Sequence, residues 1–267
     1  MLIAAMLGLI VGGILALTGS GGGILAVPLL VFGAHLGVAD AAPIALLAVG
    51  IAAALGAVLG LRARVVRYKS ALLVAAMGVL LSPIGLWLAH RTDNRWLTVV
   101  FAVVLLYVTW TTFRRARGGV SEGAPEGARS APCIRDPVTG RFVWTWRCAR
   151  ALALSGSLTG VLSGLLGVGG GFVLVPALQR YTDLEMRSTV ATSLAVIALV
   201  SASAVMAAIA AGALRWNIAV PFTAGALIGM IGGRGAGARI AGPKLQAGFA
   251  VTSALVAIGM IIRALFF

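Results

Sequence analysis

The strongest constraint on this chain is a pair of glycine runs, Gly19-Ser20-Gly21-Gly22-Gly23 and Gly167-Val168-Gly169-Gly170-Gly171, which interrupt otherwise apolar segments 148 positions apart. Hydrocarbon offers no water to satisfy a broken backbone, so such a run must be covered by protein, line a cavity or hold a ligand. The same offset, without a gap, places Gly12 on Gly160, Leu17 on Leu165, Val27-Pro28 on Val175-Pro176 and Leu46 on Leu194. It continues through Arg67 with Arg215, Gly85 with Gly233, Arg91 with Arg239 and Phe101 with Phe249. Single glycine or leucine coincidences are common in this composition, whereas one register kept over about a hundred residues marks an internal duplication.

Composition decides the solvent. Hydrophobic residues make up 60% of the 267, charged residues only 10%, and the mean hydropathy is +1.06, whereas a soluble domain carries about a quarter charged residues. The chain is predicted to be an all-α integral membrane protein: its apolar runs suit helices at ~1.5 Å per residue across a core of about 30 Å, and the alternating ten-residue strands of a barrel are missing. The first seventeen residues lack a basic flank and belong to the repeat, so they are read as mature structure and not as a leader. A formal charge of +14 would suggest nucleic acid in a soluble protein, but here the basic residues lie between apolar spans, so no nucleic-acid partner is expected. The two cysteines, Cys133 and Cys148, are too few for a disulfide framework or a thiolate metal site and are read as structural or incidental.

The spans divide the chain into a first transmembrane repeat at 1–113, a polar Arg/Gly/Pro-containing linker at 114–150 and a second repeat at 151–267. In the first repeat, Met1–Leu17 and Ile24–Val38 flank the glycine run, and Ala41–Leu61, Ser70–Ala89 and Trp96–Phe113 follow. In the second, Ala151–Leu166 and Phe172–Leu178 flank the run, and Ser188–Ala211, Asn217–Ala238 and Lys244–Leu265 follow. Each broken segment is too long for one comfortable crossing and suits a hairpin turning at the glycines. With hairpins, seventeen Lys/Arg fall on the linker side and four on the other; with single crossings the split is only fourteen to seven. The positive-inside tendency favours hairpins, which make the crossings per half odd and the two homologous repeats inverted, each a Gly-broken helical hairpin plus three transmembrane helices.

Helix starts at paired breaks present unpaired N–H groups with partial positive charge, and the ligand suited to them is an anion. The candidate substrate-binding residues are therefore Gly19, Ser20, Gly21, Gly22 and Gly23 with Gly167, Gly169, Gly170 and Gly171. Thr18 and Ser163 are further hydroxyl donors nearby. The alternative is that these glycines only allow close helix packing. Thr192 and Ser193 add adjacent hydroxyls where the first half has Ile44-Ala45, unless they bond back to their own helix. Arg67 and Arg215, at matched helix entrances, are candidates for attracting an anion, or simply for snorkelling to the interface. Gly225, Gly229, Gly233 and Gly237, spaced by four, read first as a packing face. The spans hold no Asp or Glu, which disfavours a cation carrier; His35 and Asp40 are the groups placed for proton coupling, against the plainer role of loop residues. A phosphate-loop reading fails because no strand precedes the glycines and no Lys-Ser/Thr follows them.

The duplicated Gly-x-Gly-Gly-Gly with Val-Pro, at Gly19 to Pro28 and Gly167 to Pro176, resembles the TauE/SafE sulfite exporter family, also called toluene-sulfonate uptake permeases. The stretch Ala191-Thr192-Ser193-Leu194 and the glycine-spaced helix after Asn217 are similar to the second half of that family. The resemblance implies a multi-pass secondary transporter of the bacterial inner membrane exporting sulfite, sulfoacetate or related organosulfur anions, without catalytic residues, cofactor or metal. The departure at Ile44-Ala45 removes a hydroxyl pair from one side. Partners implied are a small anionic substrate and the lipid bilayer, with proton coupling and a homo-oligomer as further expectations. The rivals are a channel or amino-acid exporter, and a membrane-embedded enzyme acting on a lipid-linked substrate, which has no His/Asp/Glu cluster in the spans to act with.

Overall fold

The computed structural model of the chain describes residues 2–18, 22–117, 133, 145–182, 186–237, 255–260 and 262. Among them, the first half contributes α1 (Leu2–Thr18), α2 (Gly22–Gly33), α3 (Val38–Arg62), α4 (Tyr68–Arg91) and α5 (Asn94–Arg117). The second half contributes α6 (Trp146–Leu166), α7 (Gly171–Tyr181), α8 (Met186–Ala210) and α9 (Trp216–Gly237). Five of these, within α3, α4, α6, α8 and α9, are long and apolar enough to cross a membrane. Tyr68, Trp96, Trp146 and Trp216, at or near the starts of α4, α5, α6 and α9, are all exposed, as side chains of an interfacial aromatic belt are.

The 148-residue offset in the sequence is also an offset in the contacts. Helix α1 packs on α9, and its counterpart α6 packs on α4, the counterpart of α9. A Cβ built on Gly8 would lie 2.0 Å from the Phe222 carbonyl oxygen, and one on Gly156 2.5 Å from that of Val74. One turn on, Gly12 stands in the same relation to Ala226 at 1.9 Å, and Gly160 to Gly78 at 2.3 Å. Both interfaces are parallel, since residue numbers rise together along the two helices. Without a side chain at these points the backbones touch, which supplies the van der Waals contact that must drive association where lipid is as apolar as the helices. The row Gly225, Gly229 and Gly233 is the other side of the α1 seam, against Ala5, Leu9 and Gly13.

Helices α3 and α8 are each other's counterparts and form the centre, packed directly together. They run antiparallel: Gly50 meets Ser201, Gly56 meets Leu194 and Gly60 meets Ala191. Their ends are built alike. Arg64 (φ 55°) and Gly212 (φ 65°) take the left-handed conformation at equivalent positions, and the next N–H bonds back to Gly60 and to Ala208 respectively, at 3.2 and 3.0 Å. This is the six-residue closure that satisfies a helix's last carbonyls. In the first half α2 folds back on α1, with Gly22 against Leu15 and Gly33 against Leu7.

Three boundaries differ from the sequence expectation. The second apolar segment stops at Gly33, because Val38 already belongs to α3. The polar linker is shorter than 114–150: α5 continues to Arg117, and α6 starts at Trp146. The Thr145 hydroxyl caps α6 by accepting from the Cys148 N–H at 3.2 Å. Cys133 and Cys148, read separately from sequence, are joined in a disulfide with sulfurs 2.02 Å apart, which pins the linker to the first turn of α6. Cys133 also donates its N–H to the Tyr181 carbonyl at 3.2 Å, so the same point of the linker is tied to the end of α7. The expected span Lys244–Leu265 lies largely outside the described residues, of which 255–260 are helical.

The seams predict a clear contrast between glycines. Gly160→Leu, which forces α6 off α4, should destabilise the protein by about 1–3 kcal/mol, whereas Gly232→Ala, whose Cβ would meet nothing within 4 Å, should be neutral or stabilising by up to about 1 kcal/mol. Thermal unfolding of the detergent-solubilised protein, read as loss of the monodisperse size-exclusion peak, separates the two.

Candidate functional site

The second glycine break is a tight reversal. Helix α6 ends with Gly167 in the left-handed conformation (φ 71°), its N–H bonded to the Ser163 carbonyl at 2.9 Å. Gly169 (φ 75°) and Gly170 (φ 67°) continue in the same region, which a residue with a Cβ enters at a cost of about 1–2 kcal/mol. The Gly170 carbonyl accepts from Val173 and Leu174, both at 3.1 Å, and α7 begins there. The first-turn N–H groups of α7 therefore point back at the break. Gly170 also has no space for a side chain: its Cβ would lie 2.3 Å from the Thr159 Cγ2.

The two breaks meet. A Cβ on Gly23, at the start of α2, would stand 2.6 Å from the Val168 carbonyl oxygen and 3.3 Å from the Val49 Cγ1. One on Gly169 would stand 3.3 Å from the same Val49 methyl, 3.0 Å from the Ile197 Cγ2 and 3.3 Å from the Ser201 Oγ. Val49 and Ile197 are repeat counterparts at the middle of α3 and α8, so the breaks flank the point where those helices cross. Gly22, Gly23 and Gly167 through Gly171 are all buried.

Three hydroxyl-bearing residues lie around the second break: Ser201, whose Oγ comes within 3.3 Å of a Cβ on Gly169, Thr159, whose methyl faces Gly170, and Ser163, one turn before Gly167 on α6. All three are fully buried and have no hydrogen-bond partner. Their first-half counterparts are Val11, Leu15 and Ala53, also buried. The sequence points to Ser163, which follows the glycine pattern closely, but not to Thr159 or Ser201. A comparison of the two halves for positions where a hydroxyl replaces an aliphatic residue finds both.

The other sequence candidates lie elsewhere. Gly19, Ser20 and Gly21 fall outside the described residues, as does the side chain of Thr18. The Thr192 hydroxyl accepts from the Arg67 backbone N–H at 3.1 Å, stitching α8 to the turn before α4, and the Ser193 hydroxyl donates to the Val190 carbonyl at 2.8 Å. Arg215 donates to the Asp40 carboxylate at 2.9 Å in an exposed ion pair between the halves. His35 sits at φ 53° in the turn between α2 and α3. Among the described residues every buried polar side chain is a serine or threonine, and none is charged.

An all-helical bundle with five helices long and apolar enough to cross a membrane, and a glycine break buried at its centre, defines a multi-pass membrane protein. The family described as "Sulfite exporter TauE/SafE" matches residues 4–260, and the chain belongs to that family. It is 25% identical over 237 residues to the probable membrane transporter protein YunE of Bacillus subtilis, covering 85% of each chain. A probable membrane transporter protein of Xylella fastidiosa is 28% identical over 225 residues, 82% of this chain and 78% of that one. No solved structure matches the chain.

Backbone strain and side-chain clash can be separated experimentally. Gly212→Ala meets nothing within 4 Å and should cost only the left-handed strain of about 1–2 kcal/mol. Gly170→Ala adds the collision with Thr159 and should lower the unfolding temperature distinctly further in the same assay.

Proposed function

We propose that this protein is a secondary transporter that carries sulfite or a related small organosulfur anion, such as sulfoacetate, outward across the bacterial inner membrane. The observation that carries the proposal is the meeting of two glycine breaks at the buried centre of a duplicated bundle, with unpartnered hydroxyls beside them and no carboxylate. Helix-start N–H groups and hydroxyls donate to an oxyanion and have little to offer a cation. Membership of the sulfite exporter family and the naming of its relatives as membrane transporters point the same way. They favour transport over catalysis on a lipid-linked substrate.

In this proposal the repeats are inverted and rock about the α3–α8 crossing to give alternating access. The antiparallel packing of the counterpart helices α3 and α8 supports a relating two-fold axis across them, in the plane of the membrane if they span it. The hairpin of α2 on α1 gives each half the odd number of crossings that the basic residues favour. Both termini are then outside and the linker is cytoplasmic.

Efflux from proteoliposomes loaded with sulfite, thiosulfate, sulfoacetate or a neutral amino acid tests the substrate. Saturable movement of sulfur oxyanions is expected, and movement of the amino acid alone would overturn the assignment. The topology is tested by Leu2→Cys in a Cys133→Ser/Cys148→Ser background, with Leu2 78% exposed. A membrane-impermeant maleimide should label it in intact spheroplasts, and protection until lysis would refute external termini.

A further inference from the structure

Resting on the oxyanion assignment above, we infer that the transported species is a singly charged oxyanion, gripped from the second half by Thr159, Ser163 and Ser201, and that each cycle moves one net negative charge. The donors at the crossing are neutral. Three are Thr159, Ser163 and Ser201, among the seven buried hydroxyls without a partner in the described residues, and the others are backbone N–H groups at the start of α7. The sequence puts no Lys, Arg, Asp or Glu in 2–39, 41–61, 70–90, 96–113, 151–179, 188–214 or 216–233, and no charged side chain is buried among the described residues to neutralise the guest. The ion pair of Asp40 with Arg215 is exposed and already matched within itself.

Charge then decides which form can enter. The cost of taking an ion out of water grows with the square of its charge, so a dianion loses roughly four times as much hydration as a monoanion of the same size. Neutral donors recover that loss far less well for the second charge than an arginine would. For sulfite, which titrates near neutrality, the hydrogen sulfite form fits and the dianion does not; of the candidates above, sulfoacetate and thiosulfate, both doubly charged at neutral pH, are then excluded. Its remaining O–H needs an acceptor, and a serine or threonine hydroxyl can accept while donating elsewhere, which a guanidinium cannot.

The single charge also supplies the driving force. With no buried carboxylate among the described residues to hold a counter-cation, the loaded carrier moves one negative charge, and an inside-negative potential pushes it outward. About 100 mV sustains a gradient of roughly fiftyfold for one charge, without any coupled proton.

The grip is asymmetric in the repeat. Each hydroxyl has an aliphatic counterpart, Val11, Leu15 or Ala53, in the other half, so the guest is bound from one side, and the first half supplies an apolar wall with the Gly23 backbone.

The full-length protein in proteoliposomes, on a solid-supported membrane, tests this with two probes matched in size: methanesulfonate, a fixed monoanion, and sulfate, a dianion. Methanesulfonate should give a transient current of the sign of anion movement, at least about tenfold larger than that from sulfate. Sulfite flux at constant total concentration should fall as pH rises and the dianion accumulates. Ser201→Ala, Thr159→Val and Ser163→Ala should each raise the half-saturating concentration by at least about tenfold, the value of one hydrogen bond to a charged group. The same variants should leave the unfolding temperature unchanged or higher, since each removes an unpartnered buried hydroxyl; a hydroxyl with a purely structural role would lower it. Sulfate moving as fast as methanesulfonate, or flux without current, would overturn the single-charge inference and leave anion transport standing. Movement of a neutral amino acid with no anion flux would instead overturn the transport assignment on which it rests. Unchanged half-saturation in all three variants would refute the second-half grip.

Discussion

Everything in this fold depends on where a broken backbone can be hidden. A helix interrupted in hydrocarbon leaves N–H and C=O groups that cost several kcal/mol each when uncovered, so a membrane protein can interrupt two helices only by burying both interruptions in protein. Here the second break is covered by the start of α2 and by the α3–α8 pair, where Val49 and Ile197 close over Gly23 and Gly169. That cover requires α1–α2 and α6–α7 to be held tightly against the centre. The hydrophobic effect cannot hold them, because lipid competes equally. The glycine seams of α1 on α9 and of α6 on α4 do so through backbone contact.

The duplication was the most legible feature of the chain, because a seam made of glycines leaves its register in the sequence. Gly8, Gly12, Gly156 and Gly160 pack against carbonyls that are themselves 148 residues apart. Function was harder to read. Thr192 and Ser193 stand out as an adjacent hydroxyl pair in an apolar run, yet Thr192 accepts from the Arg67 N–H before α4 and Ser193 bonds back to its own helix. Ser201 and Thr159 are scattered among small and aliphatic residues, and only the fold shows that they flank Gly169 and Gly170. Composition also hid the linker's edges, since a threonine cap at Thr145 starts α6 inside a stretch that reads as polar.

The disulfide and the charge distribution bear on each other. Basic residues favour a cytoplasmic linker, a compartment in which disulfides rarely persist. The cysteine positions do not need the bond, however. Both residues are fully buried, in an apolar cluster with Leu152, Leu174, Leu178 and Val200, and a free cysteine packs there as a small hydrophobe. Oxidation would add about 3 kcal/mol for a closed loop of this length in the chain-entropy description, and the Tyr181 contact would hold Cys133 in either state.

The two ends of the α3–α8 crossing occupy equivalent places in the repeat but are fastened differently. At one end Arg215 reaches Asp40, an exposed pair of a kind worth about 0–1 kcal/mol. At the other, the Ser188 hydroxyl donates to the Val65 carbonyl at 2.7 Å and the Arg67 N–H donates to Thr192, both part-buried and each worth about 0.5–1.5 kcal/mol. Salt screens the first fastening and hardly touches the second. Places that are equivalent in the repeat are therefore fastened unequally. The fastening by Asp40 and Arg215 is the weaker of the two, and it is the one that ionic strength reduces further.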